Sequence, residues 1–451
     1  MKDIEAVSPI DGRYWLKTKE LSGFFSEYAL MKYRILVECK YLIEFMEVIG
    51  KPLTEEQKEK VRSIFSDFSA DDAEKIKESE KTTRHDVKSG EYLIKEKLKE
   101  KELNQLVEQV HFALTSSDIN NLAYGFMVSS AVEKVIKPKI LELIEILKGF
   151  SESSRNAAML GRTHGQPATP TTFGKEVAVY VNRLESTSNN LFNRKLKGKL
   201  GGAVGCLNAH KIAYPEIDWL SFSKKFVEEF GFEYNKVVTQ IEPMDALAGL
   251  LHDLQIMNNV LIDLCRDFWH YISIKYLKQK PKEGYVGSST MPHKVNPLDF
   301  ENAEGNMELA VGFCNVLANK LQLSRLQRDL SNSTVMRNIG IPFAYSLIAY
   351  GSLKRGLGKI EVDEELMGKE LSEHPEVLAE AIQTVLRREG VDMPYEKLKE
   401  LTQNKKITLV DLRDFISGLE VDDDVKQRLL LLEPKDYVGY AKELVNYKKE
   451  L

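Results

Sequence analysis

Two interleaved apolar series constrain this chain more than any other feature. Leu247, Leu254, Leu261 and Phe268 recur every seven residues, and Leu250, Met257, Leu264 and Tyr271 form a second series offset by three. Three-four spacing held over four heptads is the seam of a helix packed in a bundle. A helix from Asp245 to about Lys278 would be about 50 Å long at about 1.5 Å per residue. A rod of that length exceeds the needs of one compact domain, so the spacing predicts a member of an extended helical bundle. The stripe itself is core packing, and no chemistry is expected from it.

Other segments repeat the pattern. Asp118 to Phe150 reads as a second rod, with Thr115 three residues ahead of Asp118 as its cap and Pro138 as a kink. Thr172 to Lys197, Leu298 to Leu323 and Ser333 to Gly356 continue the series. Alternating strands are few, and Gly201-Gly202-Ala203-Val204-Gly205 suits a short irregular or extended piece. A chain of 451 residues is too long for one ordinary core. Before about residue 112 the periods shorten and Lys and Glu increase, with a turn at Gly50-Lys51-Pro52. Beyond 364 the chain is again mixed, broken at Gly390 and Pro394. The expected architecture is all-α, with an N-terminal helical domain (1–111), a central bundle of long helices (112–364) and a C-terminal helical domain (365–451).

With 43% hydrophobic and 29% charged residues, the chain reads as soluble and globular. Its apolar runs are interrupted well short of a membrane span. The first twenty residues carry mixed charges and no apolar secretory core. Cys39, Cys206, Cys265 and Cys314 are far apart, without metal-ligand spacing, and fit reduced thiols of a cytoplasmic protein. A formal charge of −5 argues against a nucleic-acid surface. An anionic small ligand must therefore be held by local cations rather than drawn in by net charge. With no Cys/His cluster and no G-x-G-x-x-G after a strand, no metal and no other cofactor is expected.

The richest segment chemically is Gly287-Ser288-Ser289-Thr290-Met291-Pro292-His293-Lys294-Val295-Asn296-Pro297. It concentrates hydroxyls, backbone N–H groups that a helix does not use, one fixed cation and one amide. Such a loop suits an anionic ligand, a reading favoured over turn chemistry around its two prolines because ordered loops often carry sites. Its eleven residues resemble the signature loop of the fumarase/aspartase superfamily, whose members eliminate fumarate from succinyl compounds. Thr83-Arg84-His85-Asp86-Val87, Thr115-Ser116-Ser117-Asp118-Ile119-Asn120 and Arg162-Thr163-His164-Gly165-Gln166-Pro167-Ala168-Thr169 resemble one family within it, the adenylosuccinate lyases. So do Ser8-Pro9-Ile10-Asp11-Gly12-Arg13-Tyr14 and Pro394-Tyr395-Glu396-Lys397-Leu398-Lys399-Glu400-Leu401-Thr402. The likeness spans nearly the whole chain, in order.

The resemblance implies elimination of fumarate from adenylosuccinate, giving AMP, and from the succinyl-aminoimidazole-carboxamide ribotide of purine nucleotide biosynthesis. It also implies a homotetramer whose active sites take residues from three subunits. Breaking a C–N bond this way needs a base for the carbon-bound proton, charge stabilisation, an acid for the departing nitrogen, and anchors. The resemblance puts the base at Ser288, whose alkoxide loop N–H groups and Lys294 would stabilise. Ser289 becomes a binding residue, beside Val295 and Asn296. His164 is the expected acid, since imidazole gives up a proton near neutral pH. His85 supports catalysis, flanked by Arg84 and Asp86. Arg328, Ser333, Thr334, Val335, Met336 and Arg337 match the nucleotide-anchoring stretch, where Arg forks suit phosphate. Arg13, Tyr14, Thr115, Ser116, Gln240 and Asn302 match further binding positions. The rivals are a superfamily lyase acting on argininosuccinate, aspartate or malate, and a non-catalytic protein that keeps the fold. The Arg/Ser/Thr run argues against the first, because small dicarboxylates need no phosphate site. Intact Ser288, His164, Lys294 and Asn296 argue against the second.

Overall fold

The computed structural model describes residues 3–280, 291, 294–402 and 407–447. It is all-α, with three small two-stranded sheets among the described residues. The principal helices are α1 (Glu27–Val48), α2 (Asp86–Glu100), α3 (Ser116–Ala131) and α4 (Lys137–Ser153). After a hairpin of β1 (Ala158–Thr163) and β2 (Gln166–Thr172) come α5 (Phe173–Asn193), α6 (Asp245–Ser273) and α7 (Leu298–Leu321). Then follow α8 (Ser331–Met336), α9 (Gly340–Leu357) and, among the shorter helices of the C-terminal part, α10 (Leu409–Ser417). Two compact units emerge from the contacts. The first comprises Met1–Ile140, Thr187–Asn259 and Gly305–Tyr350, the second Leu141–Ser186, Val260–Glu304 and Gly351–Leu451.

The heptad stripe of α6 is buried as its spacing predicts, with Leu254, Met257, Leu261 and Leu264 fully enclosed. The helix stops at Ser273, short of the expected Lys278, because Lys275 turns left-handed at φ 67°. Leu277–Gln279 then pairs antiparallel with Ile360–Val362. The expected rod after Thr115 is likewise divided. A π-helical turn, Val132–Ile136, separates α3 from α4 just ahead of Pro138. Proline lacks the N–H for an α-helical bond and crowds the preceding turn, and a widened turn accommodates both. The stretch expected as one helix from Ser333 breaks into α8 and α9 at Arg337–Ile339.

In the first unit, Tyr41 and Phe45 of α1 anchor an aromatic core. Phe45 stacks on Phe112 with ring centres 4.8 Å apart, and Tyr41 meets Phe226 edge-on at 5.7 Å. The second unit has its own cores. Phe173 packs against Phe150 at 5.8 Å and against Phe268 at 6.0 Å. Leu386, Leu412 and Ile416 close a separate cluster near the C-terminus. Each ring pair removes a large apolar area from water and fixes the angle between elements.

The β1–β2 hairpin, which carries His164, is absent from the sequence-based expectations. Thr163 pairs with Gln166, leaving His164 and Gly165 as a two-residue connection with φ 53° and 76°. Positive φ at both positions marks the primed turn whose twist matches a hairpin. Pro167 and Pro170 mask β2 in the sequence, yet a two-stranded ribbon leaves one edge of each strand outside the ladder, where proline is tolerated. Gly161 sits at a bulge, where a Cβ would come within 2.2 Å of the Thr169 carbonyl oxygen.

Candidate active site

In the first unit, three helix starts and two loops surround a cavity of about 220 Å³. At the start of α3, Asp118 reaches back with Oδ2 to the N–H and hydroxyl of Thr115, at 2.8 and 2.9 Å. This satisfies a first-turn donor and sets Ser116 facing the cavity. The other oxygen, Oδ1, accepts from Lys199 Nζ at 2.7 Å and from the N–H groups of Gly201 and Gly202 at 2.8 and 3.2 Å. Burial alone would raise this carboxyl, but Lys199 and the surrounding N–H donors outweigh it and hold Asp118 below the usual carboxylate range.

Arg328 lies across the cavity from no single partner: its Nη1 donates to Ser116 Oγ at 2.8 Å and to Gln240 Oε1 at 3.1 Å. Gln240 is held in turn, donating through Nε2 to the Ala203 carbonyl at 2.9 Å. A second charged group forms around Asp86. Its Oδ2 lies 2.9 Å from Arg34 Nη1 and 3.0 Å from Arg337 Nη2. Burial pushes Asp86 upward, and the two guanidinium groups with the Val87 N–H more than reverse that, so its pKa falls below the ordinary value. His85 caps α2, with Nδ1 accepting from the Lys88 N–H at 3.1 Å. In the neutral ring the hydrogen therefore sits on Nε2, which leaves a donor on that side.

The cavity thus gathers Arg84, His85, Asp86, Ser116, Arg328, Ser333, Met336 and Arg337 of the sequence-predicted set. Gln240 joins through Arg328 and Thr115 through Asp118. Thr334 and Val335 lie in α8 beside them. Arg13 is exposed 6.0 Å from the Tyr14 ring, and Tyr14 packs against the Ala310, Tyr345 and Ile348 cluster. The second unit holds the others that are described. His164 is exposed in its hairpin turn, and β1 is tied to the Glu364–Ser372 helix by an Arg162–Glu370 ion pair. Lys294 and Val295 are exposed, Gln279 Nε2 donates to the Val295 carbonyl at 2.9 Å, and Asn296 is half-buried. Asn302 Oδ1 accepts from Ser352 Oγ at 2.7 Å. Ser288 and Ser289 lie outside the described residues.

Sequence reasoning missed Arg34, Tyr124 and Glu242, which line the cavity, and Lys199, which supports it. Arg34 and Lys199 look like ordinary surface cations until the fold buries them. Among the described residues no cluster of His, Cys, Asp and Glu is suited to a metal ion. No described helix is long and apolar enough to cross a membrane.

A family described as lyase matches residues 12–312, and one described as adenylosuccinate lyase C-terminal matches 324–438. Adenylosuccinate lyase of Dictyostelium discoideum is 49% identical, with 97% of each chain covered. This chain belongs to the adenylosuccinate lyase family. Adenylosuccinate lyase of Escherichia coli (strain K12) is 45% identical over the full length of both chains. At the level of fold alone, this chain is similar to fumarate lyase from Mesorhizobium sp. BNC1, with a TM-score of 0.74 at 17% identity, covering 95% of this chain and 96% of that one. A 3-carboxy-cis,cis-muconate lactonizing enzyme from Pseudomonas putida gives 0.73 at 19% identity, covering 95% of each.

Proposed function

We propose that this chain cleaves adenylosuccinate into AMP and fumarate, and the succinyl-aminoimidazole-carboxamide ribotide into the carboxamide ribotide and fumarate. The observation that carries this reading is the cavity of the first unit. Arg328 and Arg337, beside Ser116 and Ser333, form a cationic, hydroxyl-rich wall in a chain whose net charge is −5. Guanidinium forks with hydroxyl donors suit a phosphate, and a nucleotide substrate supplies one where malate or aspartate does not.

In the proposed mechanism Ser288, as alkoxide, takes the proton from the succinyl carbon that bears the second carboxylate. The electrons of that C–H bond form the fumarate double bond as the C–N bond breaks. His164 gives a proton to the departing nitrogen, so no charge is left on the purine amine. Lys294 and Asn296, with Ser289 and Val295, hold the carboxylate on which negative charge builds, an interaction strongest in the transition state. His85 orients the substrate through its Nε2–H. Arg13, Tyr14 and Asn302 complete the binding set.

We further propose a cytoplasmic homotetramer with shared sites. Long helices with apolar residues left exposed, such as Ile256, Leu309 and Val316, favour such association. A spectrophotometric assay with adenylosuccinate, argininosuccinate, aspartate and malate tests the substrate. Turnover of adenylosuccinate alone is expected, and turnover of any of the other three without it would overturn the reading. Ser288→Ala and His164→Ala should each remove nearly all turnover. Mixed and reassembled, the two inactive variants should regain part of the activity. Hybrids confirmed by native mass that remain inactive would place both residues on one chain.

A further inference from the structure

Lys199 and Asp118 are both fully buried. A buried ion pair is weak grounds for stability, since well-packed apolar residues of similar volume do as well or better. What an apolar pair cannot do is accept hydrogen bonds from separate segments and so fix their geometry. Asp118 does this with every acceptor direction it has. It binds Thr115 twice, Lys199 once, and the N–H groups of Gly201 and Gly202. Asn121 adds a second tie between the same segments. It accepts from the Lys199 N–H at 2.8 Å and donates to the Lys199 carbonyl at 3.1 Å.

The loop held this way is tight. Gly201 accepts from the Leu207 N–H at 2.9 Å, and Gly205 turns at φ 77° where a Cβ would meet the Val238 carbonyl at 2.2 Å. At its centre Ala203 offers the carbonyl that orients Gln240, and Gln240 shares Arg328 Nη1 with Ser116. The path is closed. Asp118 sets Ser116 from one side and, through Ala203, Gln240 and Arg328, reaches Ser116 from the other.

We propose that the Lys199–Asp118 pair is a positioning device for the nucleotide wall, fixing the Gly201–Gly205 loop and the start of α3 so that Arg328 is aimed before a ligand arrives. Neither residue touches the ligand. The inference rests on the nucleotide reading above and deepens it.

The test is the double variant Asp118→Asn/Lys199→Met, which removes both charges together and leaves neither unpaired. It should keep the native far-UV circular dichroism and native mass. AMP affinity by titration calorimetry should fall by about tenfold or more and KM for adenylosuccinate should rise alongside, while kcat changes by less than about threefold. Lys199→Met alone should shift the same quantities less. A purely structural pair would leave AMP affinity and KM at wild-type values in the folded double variant, and that result overturns the proposal. A readout independent of turnover is iodoacetamide alkylation of Cys206, the exposed cysteine in this loop; Cys39, Cys265 and Cys314 are buried. Its rate should rise several-fold in the folded variants, and an unchanged rate overturns loop fixing. Wild type that neither binds AMP nor cleaves adenylosuccinate sinks the nucleotide reading, whereas the Cys206 rate still judges the loop. If neither variant folds, the pair is a folding requirement and not a positioning device.

Discussion

Thr115–Asp118 in the first unit and Thr408–Asp411 in the second begin helices with the same four-residue spacing. In both, the aspartate reaches back to the threonine N–H and hydroxyl. Asp411 Oδ2 takes both at 2.7 Å, much as Asp118 does at 2.8 and 2.9 Å. Both carboxyls are held below the ordinary value by donors, mainly those of Thr408 for Asp411 and, against a large opposing effect of burial, Lys199 and nearby N–H groups for Asp118. The difference is what the second oxygen meets. Asp411 is exposed, and among the described residues no second segment binds its carboxylate. The second oxygen of Asp118 meets a buried lysine and two glycine N–H groups from another segment. One local motif therefore ends as a helix cap in one place and as a junction between segments in the other.

The largest expected effect tests that difference directly. Asp118→Ala strands Lys199 without a counter-charge and leaves Gly201 and Gly202 without an acceptor. Breaking a buried pair from one side costs about 3–5 kcal/mol. Denaturant unfolding measures it. A loss below about 1 kcal/mol would erase the contrast with an exposed cap. Because the Asp118 carboxyl is depressed in the folded state, its stabilisation is present above 3.8 and is lost as pH falls through the lower folded value. In the wild type this contribution should therefore persist at neutral pH and be lost only below 3.8.

His210 sharpens the comparison, as a buried polar group that is only half matched. Tyr41 has one hydroxyl hydrogen and gives it to the Phe112 carbonyl at 2.9 Å. The contact between Tyr41 Oη and His210 Nε2 at 3.0 Å then needs its hydrogen on Nε2. Among the described residues His210 Nδ1 is buried without a partner, so a second proton there would find no acceptor among them. Burial, only partly offset by Asp118, pushes this imidazole from 6.5 down to about 4. Between those values the unfolded chain binds more protons than the folded one, so stability falls on acidification, by up to about 3 kcal/mol. In His210→Gln the decline from pH 6.5 to about 4 should be shallower by that amount. Parallel stability–pH curves for the two proteins would rule the histidine out.

What the sequence disclosed follows the same division between local and distant. The α6 seam, the cap at Thr115 and the disturbance at Pro138 rest on residues within a few turns of one another, and each was legible. The β1–β2 hairpin was not, because Pro167 and Pro170 argue against a strand unless its outer edge is known to be free. Lys199 and Arg34 were not, because only the fold brings Lys199 to Asp118, 81 positions away, and Arg34 to Asp86. The family likeness also pointed to the run around Arg328 and Arg337, and both line the cavity. That the two arginines divide their labour, one set by Gln240 and the other shared with Asp86, was not legible.

Arg337 separates binding from stability. It is about half-exposed, and its contact to Asp86 is duplicated by Arg34. Its removal should leave unfolding little changed and weaken AMP by about 1.5–3 kcal/mol, the usual worth of a charge-assisted bond. Unchanged AMP affinity and unchanged KM in Arg337→Ala would move the phosphate anchor elsewhere.

The smallest effect belongs to the exposed cap. Thr408→Ala removes the hydroxyl that accepts from the Asp411 N–H at 3.3 Å and donates to the Asp411 carboxylate at 2.7 Å. Water can replace both, so the cost should be that of an ordinary N-cap, about 1 kcal/mol. The loss should also stay local. Amide exchange should quicken in α10, whose Leu412 and Ile416 anchor the C-terminal cluster, while AMP affinity and the Cys206 alkylation rate stay at wild-type values. The motif is shared, so only its surroundings can account for the difference from Asp118. A Thr408→Ala variant as unstable as Asp118→Ala, or one that binds AMP more weakly, would show that the cap itself and not its burial carries the effect.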